Sequence, residues 1–148
     1  MSRLAGDELN IDGRCFACGP DNPHGLHMRV VYQGERAVCR INLPAHFQGW
    51  ADIAHGGVVL TLMDEIMAYA VIHFLGQGVT IGMESRFRKQ VPLGQDLVVS
   101  GWVVEHKSRQ AKAAAELRLA ADESLLAEAN ARWLLKLGPD GQPVSAGI

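Results

Sequence analysis

Apolar and polar positions alternate along this chain in two different rhythms, and the change between them divides the sequence. After an opening punctuated by Gly6, Gly13, Gly19, Pro20, Pro23 and Gly25, residues 26–32 and 37–43 read as strands joined at Gln33-Gly34-Glu35. The loop 44–54 then leads into residues 58–75, an apolar run with no internal glycine or proline that ends at Gly76 and Gly78. Those are helix signals, including a glycine stop. From residue 79 the rhythm changes to strands, first 79–91, closed by Pro92 and Gly94, then the valine-rich 97–105. Residues 110–120 are rich in alanine and score as helix by propensity. Their period says strand: Ala111, Ala113, Ala115, Leu117 and Leu119 are apolar, and Gln110, Lys112, Glu116 and Arg118 lie between them. The same alternation returns in 125–137, with Leu125, Ala127, Ala129, Ala131, Trp133, Leu135 and Leu137 on one face. Period two over two consecutive segments predicts half-buried antiparallel strands.

Two strands, one long helix and four more strands make an α+β domain. A helix that is apolar on most sides needs enclosure, and six strands in one sheet can wrap it. The chain has 148 residues, 48% hydrophobic and 20% charged, with a formal charge of −2. A single domain of this length buries roughly 70% of its unfolded surface. The low charge and ordinary apolar content exclude intrinsic disorder and argue against a general nucleic-acid binder. Without repeats or a linker, the expected division is an irregular leader over 1–25, one domain over 26–138 and a tail over 139–148.

Three cysteines, Cys15, Cys18 and Cys39, are too few for a disulfide framework in a chain this long. Residues 1–13 are polar and acidic and lack the pattern of a signal peptide. The apolar run 58–75 is long enough to span a bilayer. It carries Asp64 and Glu65 near its middle and His73 near its end, which hydrocarbon disfavours. A helix buried in protein, in a reducing cytoplasm, is the expectation.

Several known sites are absent from the sequence: there is no G-x-S-x-G elbow, no phosphate-binding P-loop and no H-E-x-x-H motif. The strongest local feature is His55-Gly56-Gly57 at the mouth of the apolar helix. Helix N-termini present unpaired N–H groups with partial positive charge, and glycine lets an oxygen approach the backbone closely. An oxyanion hole fits these properties, as does a helix that starts close to a neighbouring strand. Asp64 tips the balance, because a carboxylate in the most apolar run needs a purpose or a partner. Glu65 points about 100° away around the helix, so the two acids serve different roles. Gly56 and Asp64 are eight residues apart, about 12 Å along a helix. One helix cannot offer both to one carbonyl, whereas two antiparallel copies can.

These residues resemble a known family. His55-Gly56-Gly57 followed by Asp64 is similar to the motif of the hotdog-fold acyl-CoA thioesterases of the phenylacetate-degradation type. Phe47-Gln48-Gly49-Trp50 resembles that family's approach to the motif, and Arg86-Phe87-Arg88-Lys89-Gln90-Val91-Pro92-Leu93-Gly94 its strand and turn after the helix. Cys15-Phe16-Ala17-Cys18-Gly19 with Asn22-Pro23-His24-Gly25-Leu26 resembles a leader of one branch. The resemblance implies a curved antiparallel sheet wrapped around a central helix, a homodimer that commonly pairs into tetramers, and hydrolysis of an acyl-coenzyme A thioester without a cofactor. By position it implies that Gly56 supplies the oxyanion N–H, His55 and Gly57 shape the turn, and Asp64 of the partner chain is nucleophile or general base. Thr80 falls where relatives orient the attacking group. Some relatives carry a polar side chain at position 49, where this chain has Gly49, and Gln48 is the substitute on offer.

Coenzyme A is polyanionic, and Arg86, Arg88, Lys89 and Arg109 are the basic groups proposed for it, with ordinary solvated charge as the alternative for each. Met63, Met67, Tyr69 and Met83 are either acyl-pocket wall or core. Cys15, Cys18, His24 and His27 form C-x2-C-x5-H-x2-H, with a middle spacing much shorter than a zinc finger's. The resemblance carries no zinc requirement for the two cysteines and does not include the two histidines, so no metal is assigned and zinc stays the minor alternative. Two other activities compete with hydrolysis: hydration or dehydration of an acyl thioester, and non-catalytic ligand binding. The first needs a His and acid arrangement that the sequence lacks, and the second leaves Asp64 unexplained.

Overall fold

Long apolar periodicity becomes a single helix, α1, Gly56–Phe74, in a computed structural model that describes residues 13–145. Residues 1–12 of the expected leader and 146–148 of the expected tail lie outside the described residues. Six strands surround α1: β1 Val30–Gln33, β2 Arg36–Asn42, β3 Gly78–Phe87, β4 Asp96–Lys107, β5 Gln110–Leu119 and β6 Leu125–Leu135. All neighbours are antiparallel, in the order β1-β2-β4-β5-β6-β3. The curved sheet wraps the helix as a hotdog fold. By length and composition α1 could cross a membrane, but half of its apolar window is buried inside the domain. Leu62, Met63, Ile66, Met67, Ala70 and Val71 are fully buried. Each large apolar side chain so placed contributes about 1.5–3 kcal/mol of transfer free energy.

The alanine-rich segment is a strand because of what faces it. Ala113 pairs with Ala131 and Ala115 with Ala129, and all four are buried on the inner face of the sheet. Small side chains there let α1 lie close to β4 and β5, its main packing partners. One close approach is at Gly101 on β4, where a Cβ would stand 2.9 Å from the Ile66 carbonyl oxygen. Gly101→Ala is therefore expected to destabilise the fold by about 1–3 kcal/mol through overpacking, read as a lowered midpoint in thermal unfolding. At the far end Gly76, with φ 143°, stops the helix; its Cβ would meet the Val144 carbonyl oxygen at 2.6 Å.

Three strands fall short of the expected range by two residues or more. Strand β1 begins at Val30 and not at 26, because the Leu26 and Met28 amides bond to the Phe16 and Ala17 carbonyls of the leader at 2.8 and 2.9 Å. Strand β3 ends at Phe87 and not at 91, because the Arg88 and Lys89 amides both turn onto the Leu126 carbonyl. Strand β6 ends at Leu135, and Leu137 makes only an isolated bridge with Pro143.

Candidate active site

The mouth of α1 is fixed from two sides. The His55 amide donates to the Phe47 carbonyl at 2.9 Å, and the Ala54 amide donates to the Val91 carbonyl at 2.8 Å. His55 is the N-cap, and its Nδ1 accepts from the Gly57 amide at 2.9 Å. Its main-chain carbonyl takes the Val58 and Val59 amides. Among the hydrogen bonds of the described residues, the Gly56 amide alone of these is uncommitted. Residue pattern alone does not choose between the two glycines; the family resemblance assigns the donor to Gly56. The imidazole cap chooses, because it consumes the Gly57 donor and leaves the Gly56 donor exposed at a helix N-terminus.

Gly56 opens onto a cleft lined by Trp50, Ile53, Val59, Phe87, Arg88 and Lys89. Trp50 is 83% exposed and Phe87 51%, which places two large aromatic surfaces beside the cleft. Arg88 is bonded to Glu128 at 3.0 Å. Arg86 lines a separate depression with Glu84 and Asn130, and Arg109 lies at the β4–β5 turn with Lys107, Lys112 and Arg132. Of the four basic residues read from the sequence, Arg88 and Lys89 are the two beside Gly56.

Gln48 is engaged elsewhere in its own loop. Its Oε1 accepts from the Asp52 amide at 3.0 Å and braces a turn in which Asp52 has φ 63°. Gly49 has a steric reason: a Cβ there would approach the His55 Cα to 3.0 Å. Met63 and Met67 are fully buried core, and Tyr69 is 4% exposed. Met83 is partly buried and borders a depression with Asn130.

Asp64 is half-buried on the side of α1 that also carries Gly57, Thr61 and Ala68, none of them fully buried. Its Oδ1 accepts a hydrogen bond from Thr80 Oγ1 at 3.0 Å. A β-bulge lies beside this contact, between Thr80 and Gly82. Thr80 pairs with Trp133 and Gly82 with Arg132, leaving Ile81 as the extra residue. Bulges re-aim side chains next to functional sites, and nothing in the local sequence pattern announced this one.

Glu65 turns away from Asp64, as the helical angle requires, and accepts from the Cys15 thiol at 3.3 Å. Burial pushes the Cys18 thiol and the Tyr69 hydroxyl well above their usual ranges, and the Glu65 charge adds to both. The histidines of the C-x2-C-x5-H-x2-H pattern do not join this cluster. The His27 ring pairs with the Asn22 carbonyl, and the His24 amide donates to Asn22 Oδ1 at 2.9 Å.

The sequence profile of the thioesterase superfamily matches residues 51–126, so the chain belongs to that superfamily. The match spans the helix mouth, Asp64 and Thr80. No curated protein matches the sequence. Among solved structures, the thioesterase superfamily protein RHA08564 is 20% identical with a TM-score of 0.79, covering 90% of this chain and 67% of the other. The Escherichia coli PaaI protein of the phenylacetic acid degradation operon is 18% identical with a TM-score of 0.68, over 74% of this chain and 83% of its own. The smu.793 protein of Streptococcus mutans, solved with acetyl-CoA, is 17% identical with a TM-score of 0.70, over 80% and 91%. At these identities the likeness is one of fold.

Proposed function

We propose that this protein is an acyl-CoA thioesterase whose active site is completed by a second copy of the chain. The observation that carries the reading is the Thr80–Asp64 hydrogen bond, which gives the acid in the apolar helix a fixed orientation on a helix face that is only half-buried. A structural carboxylate would be expected to pair with a cation. Asp64 instead accepts from a neutral hydroxyl, and among the described residues no Lys, Arg or His forms an ion pair with it.

In the proposed reaction, Gly56 N–H receives the oxygen of the thioester carbonyl as it gains negative charge, supported by the partial positive charge of the helix mouth. Asp64 either attacks the carbonyl carbon, giving a mixed anhydride that water then hydrolyses, or takes a proton from the attacking water. The carbon–sulfur bond breaks, coenzyme A departs as the thiolate and the acyl group leaves as a carboxylate. Eight residues separate the two groups on one helix, about 12 Å, so Gly56 of one copy works with Asp64 of the other. Two features support that pairing. The Asp64 face of α1 is only half-buried, and β3 is an edge strand carrying exposed Val79 and Ile81. Arg88 and Lys89 are the groups proposed for the phosphates of coenzyme A, and Trp50 and Phe87 offer apolar surface beside them. The setting proposed is a reducing cytoplasm, on the ground that Cys15, Cys18 and Cys39 are free thiols.

The test is a colorimetric assay of thiol release across a panel of short, long and aromatic acyl-CoA thioesters, with the mass of the protein in solution measured alongside. Thiol release by a dimer or larger assembly is expected. Binding without turnover, or hydration of an enoyl thioester without thiol release, would overturn the reading.

A further inference from the structure

We propose that Cys15, Cys18 and Glu65 form a zinc-binding site that clips the N-terminal leader to the central helix. The ligand atoms of these three residues all lie within 4.8 Å of one another. Ligands around a tetrahedral zinc, at roughly 2.0–2.3 Å from the ion, stand about 3.3–3.8 Å apart. Cys15 Sγ and Glu65 Oε2 are already 3.3 Å apart. Closing the set around an ion needs a contraction of at most about 1.5 Å between any two ligand atoms.

The leader backbone is built around the first sulfur. Within Cys15-Phe16-Ala17-Cys18-Gly19, the Cys18 amide donates to Cys15 Sγ at 3.5 Å and the Gly19 amide to the Cys15 carbonyl at 2.9 Å. The turn is so tight that a Cβ at Gly19 would stand 2.3 Å from the Cys15 nitrogen. An N–H aimed at a sulfur favours its ionised, metal-binding form, and such outer contacts hold ligands in place. The second observation is one of charge. Glu65 is a half-buried carboxylate whose neighbours are two thiols and the Tyr69 hydroxyl. Among the described residues, no Lys, Arg or His forms an ion pair with it. A half-buried acid without a cation partner is unfavourable, and a divalent ion would be that partner by direct coordination; with both thiols ionised the net charge of the cluster stays at −1.

The donor set selects the metal. Two thiolates favour zinc over magnesium or calcium, which prefer all-oxygen shells. On binding, the two thiol protons pass to solvent, each sulfur bonds to the ion as a thiolate, and water takes the fourth position. The consequence is structural. The leader already bonds to the chain entering β1 through Phe16 and Ala17, and the ion would join that unit to α1 across 50 residues of sequence. The site is separate from Asp64 and Gly56, so its failure would leave the thioesterase reading untouched.

The experiment uses the full chain, reduced and stripped with chelator, titrated with zinc and separately with cobalt(II). One equivalent of cobalt with the absorption of a tetrahedral thiolate centre is expected, together with a zinc-dependent rise in the unfolding midpoint. Cys15→Ser and Cys18→Ser should abolish the thiolate absorption. Glu65→Gln keeps shape and fold and should weaken binding by on the order of 100-fold, at least what loss of an outer-shell partner costs. Absence of stoichiometric binding would overturn the proposal. So would a Glu65→Gln variant that binds like the parent, or a Cys15–Cys18 disulfide that forms in the presence of zinc.

Discussion

Asp64→Asn is expected to fold, to assemble as the parent does and to lose hydrolysis. The amide oxygen of the substituted side chain can accept the Thr80 hydroxyl as Asp64 Oδ1 does at 3.0 Å, so the local geometry has no reason to change. The amide can neither attack a carbonyl nor take a proton from water at neutral pH. The loss is therefore expected whether Asp64 is nucleophile or base. Its size should be roughly 10²–10⁴-fold in kcat, the range for removing a positioned general base. KM should move little, because the phosphate-facing and apolar parts of the cleft are unaltered. Steady-state kinetics on the best substrate of the acyl panel, with thermal unfolding as the control for folding, makes the measurement. A variant that kept more than roughly a tenth of parental kcat would remove Asp64 from the chemistry.

The sequence carried this residue because burial and charge are in conflict there. A carboxylate within an apolar run stands out against its neighbours, and the neighbours also predict the helix that holds it. The strands were legible for a related reason. Ala111, Ala113 and Ala115 alternate with Gln110, Lys112 and Glu116, except at Ala114, and burial on one face overrides the helix propensity of alanine. Interactions that depend on a distant partner were not legible. Leu26 and Met28 have the alternation of a strand, yet their amides bond to the leader and not to β2. The bulge at Ile81 is a matter of register between β3 and β6, which no local pattern encodes. The C-x2-C pattern pointed to His24 and His27 because they were close in sequence, whereas the carboxylate beside Cys15 comes from residue 65. Gln48 shows the reverse case, a side chain free on paper that its own loop has claimed through Asp52.

The two glycines after His55 give the sharpest test of the helix mouth, because a single substitution can remove one donor without removing the helix. Gly56 is the first residue of α1, and proline is well tolerated at that position. The residue before it, His55, has φ −58° and ψ 136°, an extended conformation that a following proline favours. A Cβ at position 56 meets only the Phe87 ring, with Cζ nearest at 3.6 Å, an ordinary contact. Gly56→Pro should therefore fold while lacking the N–H assigned to the oxyanion. Gly56→Ala keeps that N–H and adds the same Cβ, so the comparison separates the lost donor from the added bulk. We expect the proline variant to fall roughly 10²–10³-fold below the alanine variant in kcat, the effect of losing one oxyanion donor, or about 2.7–4 kcal/mol. Gly57 offers no equivalent, since its amide is held by His55 Nδ1 at 2.9 Å and its replacement would disturb the cap itself. Equal rates for the proline and alanine variants would mean that the carbonyl oxygen is held somewhere else. The helix mouth would then be an anchor for substrate and not the source of catalysis.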